Sequence, residues 1–532
     1  MKTATKLAVL LASSLVAPLL TTGSSAIAQT QQNVLRTYSN LPSNLKSLVP
    51  SGGPRTSAEI QASPFGTHTT VINEGGDPAI VSKLPDLISA AGYKWVEDYA
   101  AVGALDGLSP TTAASRWNRQ RSRAIEYVKR LHDLGISVLI RIDPLPWRQL
   151  KNSPPSDEQI AGGAQFASLV VKDLKPWVRD WQIWNEPNIG NENPVVPAPL
   201  YVQIAASVSK AIRAEQANAV IYGPGTAMLQ SLAAKPLPWI DQALDAGLMK
   251  YIDVFSYHPY HQPYLRTNIP EHASEFYPWK RWGTYEAQIK DLRTRINAAA
   301  KRNVPIAATE DGIPTFTNAD GEQQIPPIVA AKYELRRNLL DAWLGVNPRI
   351  QFVFYRQASN QDYESEASFN TLTSNGDLRP LYYAVQNLYG ILDGSHHPQP
   401  DIRTTWDLTG EKSPPTIRTQ VWKKSMPGGE EVLIAYWAEA EADTLHRRWR
   451  GTLKIQIPGF EAPRIFDLMA MPAPKMKGEL AQLVNPEYKP RKPSTEPFGY
   501  ISDTSWITIP QLEIRDYPQI LQLVKLSNKG VK

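Results

Sequence analysis

The order of apolar and polar positions divides this chain into three parts. Between about residues 61 and 392, short apolar runs alternate with longer stretches in which apolar residues recur every three or four positions. The short runs predict strands at Phe65–Val71, Lys94–Tyr99, Ser137–Asp143, Asp180–Asn185, Val220–Gly223, Asp253–His258, Ile306–Glu310 and Ile350–Arg356. The stretches between them predict helices. One runs through Ile125 to Leu134 and stops at Gly135, a residue type common just past a helix end. Another starts after Ser156, an N-cap residue, with Asp157 and Glu158 placed where carboxylates favour the helix dipole. Alternation sustained over roughly 300 residues requires a parallel sheet covered by helices. Eight units predict an α/β fold of the closed (β/α)8 barrel type. The first strand is not followed by the Gly-x-Gly-x-x-Gly of an open nucleotide-binding sheet.

From residue 393 to 532 the pattern becomes all-β. Short strands are expected at Thr416–Trp422, Glu431–Trp437, Gly451–Ile457, Arg464–Met469, Ser505–Ile509 and Gln519–Val524, separated by Pro- and Gly-rich turns. This predicts a C-terminal β-sandwich domain, with the Pro- and Lys-rich stretch 475–498 as a surface excursion. Trp422 and Trp437 follow ordinary strand alternation, which predicts core packing for them rather than a sugar-binding surface.

At the other end, Lys2 and Lys6 precede an apolar run from Leu7 to Leu20, and Ala26-Ile27-Ala28 offers a small-residue cleavage site. Residues 1–28 are therefore expected to be a secretory signal peptide, and residues 29–60 a polar lead-in to the barrel. The expected location is periplasmic or extracellular. No later apolar run is long enough to span a membrane.

Composition narrows the chemistry. Without Lys2 and Lys6 the formal charge falls from +5 to +3, and no basic block argues for a nucleic-acid partner. The chain has no cysteine, so an exported form relies on a large core and holds no thiolate metal site. Its eight histidines form no His-Glu-x-x-His pattern. The expected chemistry uses neither a metal nor a cofactor.

Two carboxyl groups then stand out. Glu186 follows the apolar run Trp181-Gln182-Ile183-Trp184, within Asn185-Glu186-Pro187-Asn188. Glu310 ends the run Val304-Pro305-Ile306-Ala307-Ala308-Thr309. Active groups of such barrels lie at the C-terminal ends of the strands, and the ends of the fourth and seventh strands face each other across the mouth. Glu97, Asp98, Asp143 and Asp311 are further carboxylates at strand ends. A pair of carboxyls, one protonated and one ionised, is what cleavage of a glycosidic bond requires.

The Asn-Glu-Pro motif and the Thr309-Glu310-Asp311-Gly312 motif resemble the acid/base and nucleophile motifs of glycoside hydrolase clan A. Phe255-Ser256-Tyr257-His258-Pro259-Tyr260 and the stretch from Thr373 to Ala384, with Gly376, Arg379 and Pro380, also fit the clan. The match spans roughly residues 62 to 392, and with the trailing β-domain the layout is similar to family 39. The resemblance implies that Glu186 is the general acid/base and Glu310 the nucleophile of a retaining enzyme. It implies that Asn185 bonds the sugar 2-hydroxyl or the nucleophile, and that His258 and Tyr260 stand beside the nucleophile. Retaining pairs sit about 5–5.5 Å apart, where repulsion of about 3 kcal/mol at an effective dielectric near 20 keeps one carboxyl protonated.

Two positions depart from the clan pattern. Glu97 stands where many members carry an Arg that holds the nucleophile, leaving Arg141 and Arg356 as candidates for that task. Tyr355 stands near the usual place of a Trp platform under the sugar. Fifteen tryptophans are many for this length, and aromatic rings bury the flat faces of sugars well. Trp147 after the third strand and Tyr260, Tyr264, Phe276, Tyr277, Trp279 and Trp282 after the sixth are candidates to wall a cleft for an oligo- or polysaccharide. Two alternatives stay open: a non-catalytic carbohydrate-binding protein on a decayed barrel, and a transglycosylase of the same clan.

Overall fold

The computed structural model describes residues 54–526, apart from residues 105, 146–153, 190–195, 228–238, 262–264, 274–282, 318–322, 357–365, 374, 409, 411–412, 427–428, 445–446, 471–500 and 503–504. The signal-peptide and lead-in assignments up to residue 53, and the excursion at 475–498, lie outside the described residues.

Eight strands form the barrel: β1 Phe65–His68, β2 Trp95–Ala101, β3 Ser137–Asp143, β4 Asp180–Ile183, β5 Val220–Ala227, β6 Val254–His258, β7 Ile306–Asp311 and β8 Arg349–Gln351. All neighbours pair in parallel, and β1 pairs with both β2 and β8, which closes the ring. One main helix follows each strand: α1 Leu84–Ala90, α2 Arg121–Asp133, α3 Asp157–Leu174, α4 Ala198–Glu215, α5 Trp239–Asp245, α6 Tyr285–Ala300, α7 Pro327–Trp343 and α8 Pro380–Ile391. Helix α3 starts as expected. The Ser156 side chain accepts from Gln159 N, and the Gln159 side chain accepts from Ser156 N.

Strand alternation builds two apolar layers. On β3, Val138, Ile140 and Ile142 join the large core between barrel and helices. Leu139 instead packs inside the barrel with Tyr222, Val254 and Ala307. Arg141 and Asp143 continue the inward face of β3 towards the mouth.

Three strand ends differ from expectation. The first strand stops at His68, because Asp98 on β2 accepts hydrogen bonds from Val71 N and Ile72 N and turns residues 71–74 into a helical turn. Strand β4 stops at Ile183, since Trp184 and Glu186 adopt φ of 74° and 45°. The eighth strand ends at Gln351 rather than Arg356. Beyond it, Phe352 N bonds Asp311 O and Phe354 N bonds His68 O, while Phe354 and Tyr355 pack in the core.

The C-terminal region has two antiparallel sheets, in agreement with the expected all-β pattern. In chain order the strands are β9 His397–Pro398, β10 Thr404–Leu408, β11 Ile417–Met426, β12 Gly429–Ala438, β13 Arg448–Ile455, β14 Glu461–Asp467, β15 Ile501–Ser502, β16 Ile507–Arg515 and β17 Gln519–Leu526. The sheet orders are β9-β11-β12-β17-β14 and β10-β13-β16-β15. A second apolar core lies between them, formed by residues such as Val432, Ile434, Leu453, Ile509 and Leu521.

Helix α7 lies between this region and the barrel, and every residue from Pro327 to Asp341 is buried. Its charges are paired on both sides. Lys332 Nζ meets Asp516 at 2.8 Å, and Arg336 meets Glu271 and the Ala440 carbonyl. Glu334 and Asp341 both face Arg349 of β8. Trp422 and Trp437, expected as core, are buried at this contact. Trp422 meets Trp343 edge to face, and Trp437 Nε1 donates to Glu271.

Candidate active site

The turn after β4 is fixed by backbone pairing. Trp184 N bonds Ile142 O, and Glu186 N bonds Gly225 O at 2.9 Å. Asn188 adds a reciprocal pair: its Nδ2 donates to Ala227 O and its Oδ1 accepts from Ala227 N, both at 2.9 Å. The Asn-Glu-Pro-Asn segment thus continues the ladder onto β5. Gly225 permits this. Its φ is 61°, and a Cβ there would lie 2.8 Å from Gln182 Nε2. Opposite Gly225 the β5–β6 register shifts, and Ser256 Oγ accepts from Gly225 N. The glycines of Gly223-Pro224-Gly225 were the sequence signal for this bulge, although the expected strand stopped at Gly223.

A second bulge aims Glu310. Arg349 pairs with Ala308 and Gln351 with Asp311, so β7 carries one extra residue against β8. Glu310 consequently faces the mouth, while the next residue, Asp311, faces Arg337 of α7 and Arg349 of β8. Gly312 completes the motif because strand ends converge on it. A Cβ there would lie 2.5 Å from Phe352 O.

The two glutamates meet as the motifs suggested. Ligand atoms of Glu186, His258 and Glu310 all lie within 4.8 Å of one another. Glu186 Oε1 is 2.9 Å from His258 Nδ1. Glu310 Oε1 accepts from the Tyr260 hydroxyl at 2.6 Å, and its Oε2 lies 3.5 Å from Arg141 Nη1. His258 Nδ1 is 4.0 Å from Glu310 Oε2, so this imidazole stands closer to the expected acid/base than to the nucleophile. Tyr260 is itself held edge-on by Phe352 and Phe369.

Of the two arginines considered for Glu310, Arg141 reaches it. Arg356 pairs with Glu74 at 2.8 Å. Arg141 is buried, lies 4.4 Å over the Tyr99 ring, and also faces Glu97 at 3.8 Å and Asp143 at 3.4 Å. An arginine within Val138-Leu139-Ile140-Arg141-Ile142 is the sequence signal of an inward charge on a buried strand. The competing carboxylates Asp98 and Asp311 are engaged elsewhere. Asp98 caps the turn after β1, with burial pushing its carboxyl up to about 7. Asp311 belongs to the ion pairs beneath β7 and β8.

Other expected positions are distributed as follows. Asn185 is half-buried beside Glu186, and its Oδ1 has no hydrogen-bond partner among the described residues. Tyr355 is 3% exposed and packed in the core, so it has little free face to offer a sugar. Trp147, Trp282, Tyr264, Phe276, Tyr277 and Trp279 lie outside the described residues. His68, on β1, was not singled out. It is buried, both ring nitrogens lack a hydrogen-bond partner among the described residues, and burial pushes its imidazole well below the usual range. Glu186, His258 and Glu310 present donor atoms of the type a divalent cation binds, yet Glu186 Oε1 already meets His258 Nδ1 and Glu310 Oε1 already accepts from the Tyr260 hydroxyl.

The sequence matches no protein-family model and no curated protein sequence. Solved structures do resemble it. A family 39 glycoside hydrolase from Bacteroides cellulosilyticus WH2 superposes with a TM-score of 0.56 at 17% identity, covering 88% of this chain and 82% of that one. A monomeric β-xylosidase from Caulobacter crescentus CB15 gives 0.53 at 14% identity, over 89% and 98% of the two chains. A family 30 subfamily 8 xylanase from Clostridium acetobutylicum gives 0.51 at 10%, over 89% and 100%. The chain has the fold of these clan A glycoside hydrolases, a barrel with a C-terminal β-region. At these identities the likeness is one of fold.

Proposed function

We propose that the protein is a retaining glycoside hydrolase that acts on a β-linked oligo- or polysaccharide outside the cytoplasm. The observation that carries this reading is the approach of Glu186 and Glu310, from the ends of β4 and β7, to within 4.8 Å of each other. Retaining pairs stand about 5–5.5 Å apart, whereas inverting pairs need about 6.5–9.5 Å to admit a water. Two separate hydrogen-bonding environments support a division of roles. Glu310 accepts from Tyr260 and faces the Arg141 cation, which suits an ionised nucleophile. Glu186 shares one hydrogen bond with a histidine, which suits a group that gives and regains a proton.

In the first step Glu186 protonates the glycosidic oxygen while a carboxylate oxygen of Glu310 attacks the anomeric carbon. The bond to the leaving oxygen breaks, and a glycosyl ester forms on Glu310. The ester formation removes the negative charge of Glu310, so Glu186 stays ionised without its repulsion and takes a proton from water. The water oxygen attacks the anomeric carbon, the ester bond breaks, and Glu310 leaves as carboxylate. Inversion occurs twice, so configuration is retained. Asn185, beside Glu186, would bond the sugar 2-hydroxyl or the nucleophile. The apolar leader at residues 7–20 supports export.

Release of reducing ends from xylan, glucan, mannan, galactan and bacterial exopolysaccharides, with products sized, tests this function. At least one should be cleaved by the wild type and by neither Glu186→Gln nor Glu310→Gln. Equal cleavage by Glu310→Gln would refute the assignment.

A further inference from the structure

One cation serves three carboxyl groups under the mouth. Arg141 Nη1 lies 3.5 Å from Glu310 Oε2 and 3.8 Å from Glu97 Oε1, and Arg141 Nε lies 3.4 Å from Asp143 Oδ1. If all three were ionised, two negative charges would stand uncompensated in a buried space, which is costly. The three differ in what supports their charge. Glu310 has the Tyr260 hydroxyl, and the Asp143 side chain keeps 18% of its exposure. Glu97 is fully buried, and neither of its oxygens makes a hydrogen bond among the described residues. Its carboxyl is the one that keeps a proton at least cost.

We propose that Glu97 is a positioning residue held as a neutral carboxylic acid, whose proton leaves the charge of Arg141 to Glu310. Glu97 and Glu310 address the same guanidinium nitrogen. An ionised Glu97 would divide that cation between two anions and draw it off the nucleophile. The neutral acid fills the space, braces the guanidinium against the β2 side, and does not compete. The cation beside Glu310 stands on β3, and the uncharged acid of β2 lies behind it.

The surroundings agree. Burial pushes the Glu97 carboxyl well above the usual range. Arg141 on β3 pulls it down, while Glu310 on β7, Asp143 on β3 and Asp98 on its own strand push it further up. His68, its register partner on β1, is neutral through burial and adds no cation. The inference rests on the reading of Glu310 as nucleophile, but the proton on Glu97 does not.

Two measurements test it. Infrared spectra at neutral pH should contain a protonated-carboxyl band that disappears in Glu97→Gln, and no such difference would overturn the proposal. Kinetics should separate shape from charge. Glu97→Gln should keep kcat within about tenfold of wild type, whereas Glu97→Ala, which lets the guanidinium move, should lower kcat by more than about tenfold with KM little changed. A folded Glu97→Gln that loses more than about tenfold, or a Glu97→Ala with undiminished kcat, would overturn the positioning role. Circular dichroism establishes that each variant is folded, and the Gln variant and the infrared band decide the matter even where Ala does not fold. Should Glu310 not be the nucleophile, Glu310→Gln would stay active while the Glu97 band remained, so the two failures are distinguishable.

Discussion

The Tyr260 hydroxyl donates to Oε1 of Glu310 across 2.6 Å, linking the loop after β6 to the end of β7. Both residues are buried, so water does not readily replace this bond when it is lost. Hydrogen bonds to charged groups contribute about 1.5–3 kcal/mol. Tyr260→Phe should therefore lower kcat about 10- to 100-fold and change KM little, as steady-state kinetics on any cleaved substrate would reveal. An unchanged kcat would remove Tyr260 from the machinery.

The contact of the barrel with the β-region predicts a stability effect far from the site. Lys332 and Asp516 are both fully buried and meet at 2.8 Å. Asp516→Ala leaves an ammonium unpaired in the interior and should cost about 3–5 kcal/mol, read from the denaturant midpoint. The double change Lys332→Met with Asp516→Leu should recover most of that loss, because an apolar pair carries no desolvation penalty.

His396 predicts how stability depends on pH. Its Nδ1 lies 3.3 Å from Asp393 Oδ1 and its Nε2 3.2 Å from Glu431 Oε2. Burial alone would push the imidazole down, but the hydrogen bonds to the two carboxylates outweigh it and the net direction is up. The carboxyls of Asp393 and Glu431 are buried as well, yet the hydrogen bond from His396 leads the effects that hold both below the usual range. The raised histidine contributes stability that is lost as pH rises through its folded value. The depressed carboxylates contribute stability that is lost as pH falls through theirs. Melting temperature should peak near about pH 5–6.5, between the ordinary carboxylate and histidine ranges, and fall towards about pH 9. In His396→Gln the alkaline part of that fall should flatten. A wild-type melting temperature still rising at pH 9 would contradict this.

Hydrolysis is expected to need no metal. Full activity after dialysis against EDTA is the predicted result. Loss of activity that a divalent cation restores would assign Glu186, His258 and Glu310 a different role.

The barrel was legible because each strand is a short apolar run set between helical periods, and tertiary contacts seldom override eight repeats of one pattern. Glu186 and Glu310 were legible because their motifs sit at strand ends. What made those ends work was less visible. The glycines flanking Pro224 mark the bulge at Gly225, but the bulge beside Glu310 depends on register with a neighbouring strand, which no local pattern encodes. The eighth strand is shorter than its apolar run, because Phe354 and Tyr355 beyond it are apolar for packing in the core. Helix α7 carries Lys332, Glu334, Arg336, Arg337 and Asp341, which locally suggest a solvated face. Lys332 and Arg336 are buried because the β-region covers them and supplies partners such as Asp516 and the Ala440 carbonyl, whereas Glu334, Arg337 and Asp341 are buried against β7 and β8. Arg141 was visible as a charge in an apolar strand, but only the geometry chooses it over Arg356.

The most direct test of the central claim is covalent trapping with aryl 2-deoxy-2-fluoro-β-glycosides of the sugars released in the hydrolysis screen, followed by peptide mass mapping. One added sugar is expected on the peptide containing Glu310 and none in Glu310→Gln. An adduct on a different residue, or hydrolysis of the parent glycoside with inverted configuration, would contradict it.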